Sequence, residues 1–199
     1  MYIVYNWIAD HFIEFIAFLL GIWGVWLEAK QNALCWPVGL LNIVLSLIVF
    51  FGSRLYADVL LQIFYIIITF YGWYYWLHGG ENKTKVKISK IRIKEFLPLI
   101  ILALLSGWLI GFLFSKYTNA ALPYWDAFSF TGGIIGTYML AKKYIENWMI
   151  WIIINLLCTG IYLYKELYFF TIQYFVFIIL AVYGYYSWKK DLKKIKVTN

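Results

Sequence analysis

Trp148, Trp151, Asn155 and Thr159 are spaced three, four and four apart in an apolar stretch. At about 100° per residue, that spacing puts all four on one face of a helix. Two indoles beside hydrogen-bonding groups suit a flat, polar-edged ligand. An indole face stacks on a ring or attracts a cation for about 0.5–2 kcal/mol, and an amide reads the edge. If this helix spans a bilayer, Asn155 falls near its middle, where an unpaired amide costs on the order of a few kcal/mol. Asn155 therefore bonds either a neighbouring helix or a ligand.

Three more amides sit inside apolar stretches: Asn42, Gln62 and Gln173. Polar side chains at membrane depth mark pathways and sites, and four amides from related helices argue for a polar cavity over four separate helix-to-helix bonds. Glu14 and Asp126 lie near span ends, where they either draw a cation toward the mouth or pair with Arg54 and Lys116. Trp36, Trp73, Trp76, Trp148 and Trp188 fall where interfacial belt residues are expected; Trp151 lies one turn deeper. No phosphate-binding GxxxxGK[ST], HExxH or GxSxG motif occurs, so neither catalysis nor ATP-driven pumping by this chain is expected. Cys35 and Cys158 lack the spacing of a metal or disulfide motif, and His11 and His78 stand at span ends. The expectation is no metal and no cofactor.

Composition sets the solvent. Of 199 residues, 64% are hydrophobic and 14% charged, against about 25% charged in ordinary soluble domains. Seven apolar spans fit, near 10–28, 34–51, 55–77, 96–115, 121–141, 147–164 and 168–188, each close to the ~20 residues that cross a bilayer. The expected class is an all-α integral membrane protein with the lipid bilayer as its partner. The start of the chain has no basic segment before an apolar core, so a retained first span is expected rather than a cleaved signal. Alternate ends of the spans divide the basic residues unequally. One side has Lys30, six in the 79–94 loop, Lys142, Lys143, Lys189, Lys190, Lys193, Lys194 and Lys196; the other has Arg54, Lys116 and Lys165. The positive-inside rule then puts the N-terminus outside and the C-terminus in the cytoplasm, and accounts for the net charge of +7 without nucleic acid. The 79–94 loop reads as a solvated cationic connection.

The chain also repeats. A shift of 112 residues aligns 12–76 with 124–188 without a gap, with 16 identities over 65 positions, including Gly21/Gly133, Gly24/Gly136, Lys30/Lys142, Trp36/Trp148, Gly72/Gly184 and Trp76/Trp188. Asn42 and Asn155, like Gln62 and Gln173, are one position out of register. Each repeat holds three spans, and the single span 96–115 between them returns the second copy to the orientation of the first. The expected arrangement is 3+1+3 with parallel repeats, related by an axis along the membrane normal, and a cavity where they meet. Small residues at Ala17xxxGly21, Ser129xxxGly133 and Gly132xxxGly136 allow close helix approach there.

Pro123-Tyr-Trp-Asp126, the run Lys142 to Asn155 with its WxxWxxxN pattern, and Leu55 to Gln62 leading into Tyr71-Gly-Trp-Tyr-Tyr-Trp76 resemble the PnuC family of bacterial vitamin transporters over nearly the whole chain. The resemblance implies a fold similar to SWEET sugar transporters in the bacterial inner membrane. It further implies uptake of nicotinamide riboside by facilitated diffusion, trapping by a cytoplasmic vitamin kinase, and a homotrimer; thiamine is the alternative substrate, and riboflavin belongs to a related branch. Substrate contacts would fall on Trp151 and Asn155, with Trp148 and Gln62.

Overall fold

The structure, a computed structural model, describes residues 12–52, 56–166 and 168–197. Among them are seven α-helices: α1 Phe12–Ala29, α2 Cys35–Gly52, α3 Tyr56–His78, α4 Ile93–Tyr117, α5 Pro123–Ala141, α6 Asn147–Tyr164 and α7 Tyr168–Val197. Each coincides with an expected span to within a few residues, except that α7 runs on to Val197, with Lys189, Lys190, Lys193 and Lys194 exposed. Proline opens α5 at its first turn, where a missing N–H costs nothing. By length and composition α4, α6 and the 170–194 portion of α7 can each cross a membrane. Their outward faces are apolar, as Leu105, Trp108, Ile153, Leu156 and Ile172 show. That is the surface a hydrocarbon solvent requires.

Sequential neighbours pack together, except α3 and α4, and two longer contacts tie the chain across its middle: α1 lies on α7 and α3 on α5. α4 stands apart, burying only Gly107 and Gly111, against which Phe128 and Tyr124 of α5 are seated.

Many contacts recur at an offset of 112 residues. The turn after α1 closes with Gln31 N–H to Glu28 O (2.9 Å) and Asn32 N–H to Leu27 O (2.9 Å); the turn after α5 closes with Lys143 N–H to Leu140 O (2.9 Å) and Tyr144 N–H to Met139 O (3.0 Å). Gln31 and Lys143 both take positive φ, 54° and 53°. Lys30 lies over the Tyr183 ring at 5.4 Å, and Lys142 over Tyr71 at 5.5 Å, so each half reaches across to the other.

The tryptophans near this lysine-rich end depart from expectation. Trp36, Trp76, Trp148 and Trp188 are buried rather than belt residues, none more than 4% exposed. Trp36 meets Trp76 edge-on at 5.5 Å, Trp148 meets Trp188 edge-on at 5.4 Å, and Trp76 lies 6.2 Å from Trp188. Trp76 Nε1–H donates to Leu140 O (3.0 Å) and Trp188 Nε1–H to Glu28 O (3.1 Å). Glycine makes this possible: a Cβ on Gly72 would come within 2.2 Å of Trp36, and one on Gly184 within 2.5 Å of Trp148. Once its N–H finds a carbonyl, as those of Trp76 and Trp188 do, an indole gains more from close packing than from the interface.

The 79–94 loop keeps its six cationic side chains exposed, but its backbone is anchored. Ser89 N–H donates to Lys143 O (3.1 Å), Ile145 N–H to Ser89 O (3.0 Å) and Ile91 N–H to a Glu146 carboxylate (3.1 Å), while Ile88 is buried. Alternating lysines with apolar residues at 86, 88 and 91 let one edge dock while the other stays wet.

Candidate functional site

A cavity of about 300 Å³ opens among the helices. Residues of α1, α2, α3, α5, α6 and α7 line it; α4 contributes none. Helix α6 supplies Trp148, Trp151 and Asn155, the 3- and 4-residue spacing placing them on one wall. Trp151 is half-buried beside Gly136, where a Cβ would stand 3.1 Å from the indole; glycine there lets the ring lie against α5. Asn155 is 4% exposed and its side chain makes no hydrogen bond among the described residues. Thr159, the last of the stripe, spends its hydroxyl on Asn155 O at 2.7 Å.

Asn42 and Gln62 line the same cavity. The Asn42 amide also donates to the Ala17 carbonyl of α1, so it serves both as a helix-to-helix bond and as part of the wall. Gln173 is not on the wall; Tyr174 is. One residue is a 100° step around a helix, and Tyr174, not Gln173, is the in-register counterpart of Gln62. Asp126 is likewise off the wall, ion-paired to Lys165 with both oxygens at 3.1 Å. Its partner is Lys165 rather than Lys116, and Arg54 and the side chain of Glu14 lie outside the described residues. His78, as expected, stands exposed at the end of α3, stacked on Tyr74.

Spacing alone did not expose several wall residues: Glu28, Gly39, Tyr65, Tyr174 and Phe177. The repeat is the signal that finds them, since Tyr65 and Phe177 are register mates, as are Gly39 and Trp151. Three indole N–H groups, those of Trp36, Trp148 and Trp151, are buried without a partner among the described residues. Orphaned donors of this kind are costly and rare, and all three belong to residues of the wall. No lysine, arginine or histidine faces the cavity among the described residues, where Glu28 is the one acidic side chain. Among those residues no group of metal-ligating side chains occurs. The site is therefore an aromatic box with amide edges and one carboxylate, fit to hold a flat, polar, small molecule without bonding to it covalently.

An apolar-jacketed helical bundle around a cavity lined by aromatic and amide side chains is the build of a membrane transporter. The chain belongs to the family described as nicotinamide mononucleotide transporter, whose profile matches residues 11–190. It is 26% identical to the nicotinamide riboside transporter PnuC of Escherichia coli K12, over 88% of this chain and 84% of that one. It is 24% identical to the protein of the same name in Neisseria mucosa, over 96% and 77%. A riboflavin/roseoflavin transporter, RibM, of Streptomyces davaonensis is 24% identical over 88% and 83%. The fold matches a crystal structure of the vitamin B3 transporter PnuC with a TM-score of 0.76 at 21% identity, covering 96% of this chain and 86% of that one.

Proposed function

We propose that this chain carries nicotinamide riboside across the inner membrane by facilitated diffusion, and that the ligand rests in the cavity with its pyridinium ring on Trp151 and its polar groups on Asn155, Asn42 and Gln62. Trp151 and Asn155, one turn apart on the wall of one cavity, are the observation that carries this reading. Relatives that share most of its length are named for nicotinamide riboside, while the family name refers to the mononucleotide. The chemistry of the wall favours the riboside. A phosphate monoester is held most strongly by cationic partners, and among the described residues the cavity wall offers no lysine or arginine and carries the acid Glu28.

The same reading takes the halves 12–76 and 124–188 as parallel repeats joined by α4 in a 3+1+3, SWEET-like arrangement. The recurring turns, indole pairs and crossed lysine–tyrosine contacts support it. The lysine-rich end then faces the cytoplasm, with the N-terminus outside and the C-terminus inside. A cytoplasmic kinase that phosphorylates the vitamin makes uptake unidirectional, and the protein works as a homotrimer. Purified protein in liposomes is expected to equilibrate labelled nicotinamide riboside without ATP or an ion gradient, saturably, and Asn155→Leu is expected to weaken uptake about 10-fold, near 1.4 kcal/mol. Uptake that needs a gradient, or that thiamine and not nicotinamide riboside saturates, overturns the assignment.

A further inference from the structure

Glu28 is the last acidic residue of α1 and the one acidic or basic side chain on the cavity wall among the described residues. Its backbone is pinned twice: its carbonyl accepts from the Trp188 indole at 3.1 Å and from Gln31 N–H at 2.9 Å. That holds the final turn of α1 and sets where the side chain leaves the helix. Leu140, its register mate, sits on the wall through the same device, its carbonyl taken by Trp76 at 3.0 Å and Lys143 N–H at 2.9 Å. The two positions are therefore one architectural element carrying a charge on one side and a methyl-branched chain on the other.

Among the described residues the Glu28 carboxylate makes no hydrogen bond and no ion pair. The lysines near this end are engaged elsewhere: Lys143 over the Trp76 ring at 4.3 Å, Lys142 over Tyr75 at 4.0 Å and Lys30 over Tyr183 at 5.4 Å. A carboxylate ionised at this depth without a counter-charge costs several kcal/mol, a cost that a cationic ligand beside it offsets. The fold supplies no reason to keep it, since leucine serves at the equivalent place. Around it the cavity is neutral and aromatic, with Trp36 and Trp148 on the same wall, and ring faces favour the same sign of ligand charge as a carboxylate does.

We propose that the Glu28 carboxylate is the counter-ion for a positively charged heteroaromatic ring in the cavity, selecting cationic vitamins over neutral ones of the same shape. This rests on the vitamin reading above and gives that site its charge specificity. Two matched pairs of probes test it: nicotinamide riboside against its uncharged dihydropyridine form, and thiamine against uncharged 3-deazathiamine, titrated calorimetrically into full-length protein in detergent. The wild type binds at least one cation about 10-fold or more above its neutral partner. Glu28→Gln loses about 10- to 100-fold for that cation and less than about 3-fold for the neutral form, which also shows that the variant is folded. Glu28→Asp keeps the preference for the cation. Equal loss for both forms, or none for either, overturns the role of Glu28 and leaves the vitamin reading standing. A wild type that binds neither cation overturns both.

Discussion

The two halves of the cavity wall are built on one frame and furnished differently. At the lysine-rich end they match: Trp36 and Trp148 each sit on a glycine, Gly72 and Gly184, and each meets a partner indole edge-on. Along the wall they diverge. Register mates on the wall read Glu28 against Leu140, Gly39 against Trp151, Ile43 against Asn155, and Gln62 against Tyr174. Positions that fix helix contacts stay alike because the packing constraint is the same in both halves. Positions that face the space differ, as the proposed binding of one asymmetric ligand between two walls requires. The first half contributes charge and room, the second the ring face and the buried amide.

The division is most easily broken at glycine, where the same residue plays opposite parts. A Cβ on Gly39 meets nothing within 4 Å, and that emptiness lies where the second half holds Trp151. Gly39→Leu should fill the ligand's place and lower affinity for nicotinamide riboside by about 100-fold, near 2.7 kcal/mol. The unfolding midpoint in detergent should hold or rise, since glycine inside a helix costs about 1 kcal/mol. Gly184→Ala puts a methyl 2.5 Å from Trp148 and should do the reverse, destabilising the fold by about 1–3 kcal/mol through overpacking. Stability lost at Gly39 with affinity intact would erase the distinction between frame and furnishing.

The smallest effect sharpens the comparison at the paired turns. Gln31 donates to Asp191 at 2.9 Å, whereas its mate Lys143 is 6% exposed with its ammonium over Trp76. Burial lowers the Lys143 pKa to about 8, outweighing nearby Cys35, which raises it. The folded protein thus binds this proton less tightly than the unfolded chain, so stability from this residue rises with pH from about 8 to the ordinary lysine value of 10.5. Lys143→Gln, which makes the two turns alike, should flatten the pH dependence of the unfolding midpoint in that window by about 1–2 kcal/mol. Parallel curves for wild type and variant would show that Lys143 keeps its charge at no cost.

Spans were legible because the solvent writes them: long apolar runs have few alternatives in a bilayer. The stripe from Trp148 to Asn155 was legible because helical spacing is rigid, and it does reach the cavity. Other parts of the site were hidden for physical reasons. Glu28 stands at a span end, where an acid passes for an interfacial residue; Gly39 acts by having no side chain; Tyr174 is one of 18 tyrosines. Gln173 looked like a partner for Gln62 because both are amides, yet a single residue of register turns it off the wall. The buried indoles resembled a belt because depth in the sequence does not tell which way a ring faces. Their signature was nonetheless present: Gly72 to Trp76 and Gly184 to Trp188 repeat a glycine one helical turn before a tryptophan. Asp126 read either as a cation attractor or as a partner of Arg54 or Lys116; Lys165, just past the end of α6, is the residue that pairs with it.

Solving the structure with nicotinamide riboside bound tests the central claim most directly. The account predicts the ligand inside the cavity, its ring against Trp151 on the side left open by Gly39, with Asn155 within hydrogen-bond reach of a polar group. A ligand seated on the lysine-rich turns, or in the cavity with Trp151 and Asn155 untouched, would contradict it.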